Sequence, residues 1–205
     1  MKKRTKINFR TSSLDSRKSL AQPLFLEYAM PHDALSNLVP FILKKGPSLP
    51  YAEYDEVAEN IWVHKSAYLS SNVKIDAPAI IDKGAKICHG AHIKASIIGS
   101  FAHIGDSSQI IGSIVFDMAK LTHSNLVCRS VIGYGARLSS GVSVCEDTFL
   151  SSVANQKKGS VICDFASIGA NSVISSDVIV DEYATIPPLS TVCCDVKAFS
   201  VFKGK

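Results

Sequence analysis

The chain has 205 residues and a formal charge of +4, and this length and apolar content suffice for one domain with its own core. Residues 1–20 carry seven Lys or Arg side chains against one Asp, so the positive charge belongs to this segment. Such a tail can contact nucleic acid or an anionic membrane. With no aromatic partner beyond Phe9, we expect a basic, mobile leader and no nucleic-acid partner. The chain contains neither a secretory signal nor eighteen consecutive apolar residues, so we expect no membrane span.

Residues 21–60 read as a helical segment followed by a linker. From Pro31 to Lys45 the apolar residues recur at helical spacing, and Gly46 is a typical helix stop. Pro40 predicts a kink, or a break into two short pieces. Residues 46–60 contain two prolines and no clear periodicity, which is typical of a linker.

An aliphatic residue, here called a guide, returns about every six residues from 63 to 144. A small or β-branched residue follows most guides four positions later. A hexapeptide period is typical of a parallel β-helix. The guides are Val63, Leu69, Ile75, Ile81, Ile87, Ile93, Ile98, Ile104, Ile110, Val115, Leu121, Val127, Ile132, Leu138 and Val144.

Three steps between guides are one residue short, and they recur seventeen residues apart. They end at Ile98, Val115 and Ile132, which predicts a coil of three strands with one shortened edge. Residues 145–160 are polar and lack guide spacing, so we expect a loop excursion that is either a binding loop or a tolerated insertion. The period resumes at Ile162, and the β-helix is predicted over residues 61–205.

Two histidines and an aspartate occupy equivalent positions in adjacent coils. His89, Asp106 and His123 each lie two residues after a guide and seventeen residues apart. Equivalent positions stack at about 4.8 Å, so these three side chains are predicted to form one column in which the carboxylate orients an imidazole. A polar ladder on a solvated face is the alternative. The six cysteines show no paired spacing and indicate reduced thiols in the cytoplasm.

With the coils laid out, the sequence resembles the hexapeptide-repeat acyltransferases. The similarity covers residues 60–203 and includes the segments IWVHKSA, IIGSFAHIG, IVFDMAKLTHSNLV, SVIGYGARLSSGV and IGANSVI. Within that superfamily it resembles the C-terminal acetyltransferase domain of the bifunctional N-acetylglucosamine-1-phosphate uridyltransferase/glucosamine-1-phosphate acetyltransferase, and its shorter sugar-nucleotidyltransferase relatives. The resemblance implies an all-β solenoid, a left-handed parallel β-helix that assembles as a homotrimer. The family's Gly-rich nucleotide loop has no counterpart here, so we expect no uridyl transfer.

The resemblance also implies an active site. The histidine of LTHSNLV, His123, corresponds to the general base that takes a proton from the acceptor during attack on acetyl-CoA or another acyl-CoA. The acceptor implied is an amino-sugar phosphate, a nucleotide sugar or a similar small molecule. Leu126 stands where the acetyltransferase has Tyr, and Arg137 where it has Asn. The expected substrate- or CoA-binding residues are Asp106, Asn125, Arg137, Ser139, Ser140, Lys157 and Lys158.

Two other functions stay open at this point. The departures from the family pattern favour a non-catalytic trimeric scaffold or regulatory module. A zinc enzyme resembling the hexapeptide carbonic anhydrases would use His89, His123 and Cys128 as ligands. Because the spacing of that family's histidine pair is absent, we expect no metal.

Overall fold

The main body of the protein is a three-sided parallel β-helix. The structure is a computed structural model that describes residues 14–15, 19–28, 30–144 and 159–204. Its three faces, here called sheets A, B and C, contain eight, seven and seven strands. The chain visits them in the order A, B, C and then returns to A. This architecture confirms the predicted fold class, and it is consistent with a left-handed β-helix.

The strands are short because each face of the coil is only a few residues wide. Sheet A contains β1 (Tyr54–Ala58), β2 (Ile61–His64), β5 (Ala79–Ile81), β8 (Ile97–Ile98), β11 (Ile114–Val115), β14 (Val131–Ile132), β17 (Val161–Ile162) and β20 (Ile179–Val180). Sheet B contains β3 (Tyr68–Leu69), β6 (Lys86–Ile87), β9 (His103–Ile104), β12 (Lys120–Leu121), β15 (Arg137–Leu138), β18 (Ser167–Ile168) and β21 (Thr185–Ile186). Sheet C contains β4 (Lys74–Asp76), β7 (His92–Lys94), β10 (Gln109–Ile111), β13 (Leu126–Cys128), β16 (Ser143–Val144), β19 (Val173–Ile174) and β22 (Thr191–Val192).

The guide residues fill the interior of the prism, and nearly all of them are fully buried. Guides of successive coils pair in register, as Ile110 does with Val127. The shortened steps all fall at the corner between sheets C and A, as the sequence predicts. The excursion at 145–160 lies almost wholly outside the described residues. Val161 pairs with Val131 in sheet A, so the predicted resumption of the repeat is confirmed.

A second apolar core lies outside the prism, between sheet A and the N-terminal segment. The outward row of sheet A includes Ile80, Ile97 and Ile114, all fully buried. Leu24, Leu38, Ile42 and other apolar residues of the helices cover this row. The Phe25 and Phe116 rings meet edge to face, with their centroids 5.4 Å apart. Leu14 and Ser19, which the sequence reading placed in the tail, are buried in this region.

The covering segment consists of three short helices, α1 (Gln22–Glu27), α2 (Pro31–Ser36) and α3 (Leu38–Lys45). The predicted break in the 31–45 helix is confirmed, and it falls at Asn37. Pro40 lies in the first turn of α3, where a missing N–H leaves no hydrogen bond unmade. Among the described residues, no helix is both long enough and apolar enough to cross a membrane.

The predicted linker is wrong in one part, because it contains a strand. A 3-10 turn at Gly46–Ser48 follows α3, and β1 then pairs with β2 in the antiparallel direction, with Asp55 opposite Val63. Four of the five β1 residues are exposed, so the strand lacks the apolar alternation that would reveal it in the sequence. The Tyr54 hydroxyl donates a hydrogen bond to Asp82 and fixes β1 to the prism.

Candidate active site

His89, Asp106 and His123 do stack in one column, at the corner between sheets B and C. The main-chain N–H of Ser107 donates to the carbonyl of His89 at 2.9 Å, and that of Ser124 donates to Asp106 at 2.8 Å. The same bond joins Gly141 to His123 at 3.1 Å. All three column side chains are exposed. The column predicted from the seventeen-residue spacing is therefore confirmed.

A chain of hydroxyl groups holds the His123 ring. The Thr122 hydroxyl donates to the carbonyl of Leu138 at 3.2 Å, and the Ser140 hydroxyl lies 3.1 Å from Thr122 Oγ1. Ser140 Oγ lies 3.3 Å from His123 Nδ1. Here we call Thr122, Ser140 and the Leu138 carbonyl the hydroxyl relay.

The end of the hydroxyl relay fixes the direction of every proton in it. A carbonyl oxygen can only accept, so the Thr122 proton points to Leu138 and its oxygen accepts from Ser140. The Ser140 oxygen then accepts from His123, which places the ring proton on Nδ1. Nε2 keeps its lone pair and faces outward, as a general base requires.

The carboxylate of the column does a different job from the predicted one. Asp106 Oδ1 accepts a hydrogen bond from the main-chain N–H of His89 at 3.1 Å. In the described part of the chain, no hydrogen bond or ion pair joins Asp106 to the His123 ring. His89 has its own serine partner, since its Nδ1 lies 3.1 Å from the Ser71 hydroxyl. Asp106 thus stabilises the corner, and Ser140 orients His123.

The structure corrects the prediction that the Asn125 side chain polarises a substrate carbonyl. Asn125 is 1% exposed. Its Nδ2 donates to the Thr122 carbonyl at 2.9 Å, and its Oδ1 accepts from the Val142 N–H at 3.0 Å. The fourth position of each corner points into the prism, so this amide supports the turn that carries His123 from behind.

Gly105 lets the His123 turn pack closely on the coil before it. A Cβ at Gly105 would lie 2.9 Å from the main-chain nitrogen of His123, and closer still to the carbonyl group of Thr122. These neighbours are main-chain atoms that cannot swing away. A residue with a side chain at position 105 would therefore displace the main chain beneath the base.

The other predicted site residues are divided between the corner and sheet B. Ser139 is exposed at the same corner, with its N–H bonded to the Ile168 carbonyl at 2.9 Å. Arg137 is exposed on the outer face of sheet B, in register with Lys120. Lys157 and Lys158 lie outside the described residues.

Sequence reasoning missed a thiol and an imidazole beside the column. Cys88 Sγ lies 3.7 Å from His103 Nε2. Burial raises the pKa of the Cys88 thiol, with a further rise from the Asp106 charge. Burial also lowers the pKa of His103, and the charges of Lys86 and Lys120 lower it further. Position before and after a guide was the available signal, because both residues flank guides on sheet B.

The structure gives no three-ligand cluster for the zinc alternative. His89 and His123 lie two coils apart, and Cys128 lies on sheet C. Within residues 14–15, 19–28, 30–144 and 159–204, no group of three or more His, Cys, Asp or Glu side chains could hold a metal ion. A groove of about 430 Å³ lies elsewhere, among the N-terminal helices, with Leu24, Tyr28 and Phe41 in its walls.

Comparison with known proteins gives relatives of one kind. No protein-family model matches the chain. The bifunctional protein GlmU of Acetivibrio thermocellus is 26% identical over 147 residues, which cover 71% of this chain and 29% of that protein. The chain therefore spans less than a third of that relative's length.

Two solved structures with a similar fold are acetyltransferases. A putative acetyltransferase from Bacillus cereus is 19% identical, with a TM-score of 0.38, over 63% of this chain and 70% of that one. The acetyltransferase domain of PglB from Neisseria gonorrhoeae, in complex with acetyl coenzyme A, is 16% identical, with a TM-score of 0.36, over 65% and 49%. The relatives in sequence confirm the resemblance to the hexapeptide-repeat acyltransferases that the repeat and the LTHSNLV segment predict.

Proposed function

We propose that the protein transfers an acyl group from an acyl-CoA, such as acetyl-CoA, to an amino-sugar phosphate, a nucleotide sugar or a similar small acceptor. The observation that carries the proposal is the exposed His123 ring, held through Nδ1 by Ser140 with Nε2 free to accept a proton. The hydroxyl relay gives the base its tautomer without help from a carboxylate. The sequence similarity to GlmU supports the acyl-transfer chemistry.

The proposed reaction is direct transfer. The acceptor amine attacks the thioester carbonyl while His123 Nε2 takes a proton from its nitrogen. The tetrahedral intermediate then collapses, so that the new C–N bond stays, the C–S bond breaks, and the leaving thiolate recovers the proton from Nε2. Main-chain N–H groups at the cleft polarise the carbonyl, and Ser139 and Arg137 line the approach to the base.

We further propose a cytoplasmic homotrimer with one site in each cleft between neighbouring subunits. The chain's own helices bury the outer face of sheet A, and this leaves sheets B and C, with the His123 corner between them, for partners. The cysteines at 88, 128, 163, 193 and 194 form no disulfide, which supports a reducing compartment. Sedimentation of the purified protein tests this assembly, and a monomer would remove the cleft site.

The chain contains a matched pair for testing the base. His123→Ala removes the imidazole held by Ser140, and His89→Ala removes its counterpart held by Ser71 two coils away. The assay follows thiol release from acetyl-CoA in the presence of glucosamine-1-phosphate and a panel of other amines. His123→Ala is expected to lower kcat by about 10²- to 10⁴-fold, the range for loss of a general base, and His89→Ala to leave it near the wild-type value. Equal background rates for all three proteins across the panel would refute the proposal.

The second candidate is a non-catalytic scaffold, and the openness of the column favours it. His89, Asp106 and His123 are all exposed within one chain, and Leu126 and Arg137 stand where the family has Tyr and Asn. The same assay decides between the two functions, because a scaffold would release no thiol above background with any amine.

A further inference from the structure

The outer face of sheet B carries a row of basic side chains in register. Lys86 pairs with His103, His103 with Lys120, and Lys120 with Arg137, each on neighbouring strands. Each residue directly precedes a guide, so its side chain points out of the prism. Here we call these four residues the basic ladder.

The cations of the basic ladder have no acidic partner to neutralise them. Lys86, Lys120 and Arg137 are exposed, and among the described residues none of them forms an ion pair. Like charges on directly opposite strand positions destabilise a sheet. The positive field reaches His103, whose pKa is lowered by burial and then by the two lysines. Asp106, whose charge also reaches His103, is held by the His89 N–H.

The other two faces of the prism show that this charge is a property of sheet B. The equivalent row of sheet A is apolar and buried under the helices. The described lysine at this position on sheet C, Lys74, already lies 3.3 Å from the Asp76 carboxylate. An unneutralised row of cations on one face is the arrangement that binds phosphate groups.

The spacing along the basic ladder suits phosphate. Neighbouring strands lie about 4.8 Å apart, so one phosphate can accept hydrogen bonds from two adjacent side chains. A diphosphate can extend over the next rung. Arg137, with its planar fork of donors, is suited to hold two oxygens at once.

The distance to His123 indicates which substrate the phosphate belongs to. Lys120 lies three residues before His123, so at most about 10 Å of extended chain separates their positions. One sugar ring bridges a gap of this order between a phosphate and an amine. In coenzyme A, the long pantetheine arm separates the thioester from the diphosphate.

We propose that the basic ladder binds the phosphate groups of the acceptor, and that the acceptor is therefore a phosphorylated amino sugar. This inference rests on the proposed acyl transfer for the identity of the substrate. Lys120 and Arg137 hold the phosphate nearest the base, and Lys86 adds charge farther along the row.

Calorimetric titration tests the ladder with inorganic pyrophosphate, uridine diphosphate and coenzyme A as separate probes. Lys120→Gln and Arg137→Gln are each expected to weaken pyrophosphate and uridine diphosphate binding about tenfold, as expected for loss of a charge-assisted hydrogen bond. Lys74→Gln is the matched control, because it removes a lysine from the same position on sheet C, and it is expected to bind as the wild type does. Binding of coenzyme A is expected to be unchanged in all three variants.

Three results would overturn the proposal. The ladder variants could bind pyrophosphate as tightly as the wild type, Lys74→Gln could weaken binding equally, or coenzyme A binding could fall in their place. Titration needs no turnover, so a protein that binds pyrophosphate through the ladder but releases no thiol would contradict only the acyl transfer. In an active protein, the ladder variants are expected to raise KM for the acceptor about tenfold and to leave KM for acyl-CoA unchanged.

Discussion

Replacing Gly105 with Ala should damage the site from beneath, and a second glycine provides the control. The added Cβ would lie 2.9 Å from the His123 nitrogen, while a Cβ at Gly99 would lie 2.7 Å from the main-chain nitrogen of Asp117. Both glycines open a corner of the same coil, and both press on the main chain of the next coil. Overpacking of this kind costs typically 1–3 kcal/mol, so both variants should lose about that much free energy of unfolding in urea titrations.

The two variants should differ in activity. Gly105→Ala shifts the turn that carries His123, and a displacement of about 1 Å at a reacting group can lower the rate about 10²-fold. Gly99→Ala shifts the corner between sheets A and B, away from the base, and should retain near-wild-type kcat. Thiol release gives kcat for both. Equal kcat values in the two variants, or wild-type stability for Gly105→Ala, would refute the reasoning.

The remaining predictions concern stability and thiol reactivity. The edge-to-face contact between Phe25 and Phe116 should give a coupling of about 0.5–1.5 kcal/mol in a double-mutant cycle of Phe→Leu variants measured by urea unfolding, and zero coupling would show that the helices do not dock through this pair. The His92 hydrogen bond holds the pKa of Asp76 below its usual range; the wild type should therefore be more stable than Asp76→Asn at neutral pH, and the difference should vanish as the pH falls through the lowered pKa, whereas a pH-independent difference would contradict this. Because burial raises the pKa of Cys88, mass spectrometry of alkylated peptides at pH 7.5 should show it reacting more slowly than the exposed cysteines near the C-terminus.

The repeat was predictable because one physical constraint acts on every coil. Each guide must point into the prism, and a six-residue spacing records that requirement directly in the sequence. The short steps record the corner between sheets C and A in the same way. Stacking of Asp106 and His123 then follows from arithmetic along the chain, and the structure confirms it.

The burial of sheet A had a signal in the sequence that the guide pattern concealed. On this sheet the residue before each guide is also apolar, as in Ile80, Ile97 and Ile114, whereas on sheet B it is mostly basic. A strand with two apolar faces needs a cover on each. Reading the position before the guide would have predicted both the helical cover and the basic ladder.

The details around His123 could not be predicted from spacing. Whether Asp106 or Ser140 reaches the imidazole depends on side-chain rotamers, which a period does not determine. Asn125 is polar, yet it lies at the fourth position of its corner, which points inward, and its amide bonds to the turn. Family resemblance selected the correct residues around the base but not their contacts.

The antiparallel strand β1 affects how the protein behaves at high concentration. A parallel solenoid offers the same hydrogen-bonding pattern at its last coil as at its first, so two copies could in principle join end to end into a filament. On sheet A, β1 reverses the direction of the edge and presents the exposed carboxylates of Asp55 and Glu56. The edge strands of the other two sheets at this end are only two and three residues long. The N-terminal end of the prism is therefore a stop for polymerisation, and it lets a repeat of this regularity remain a discrete molecule.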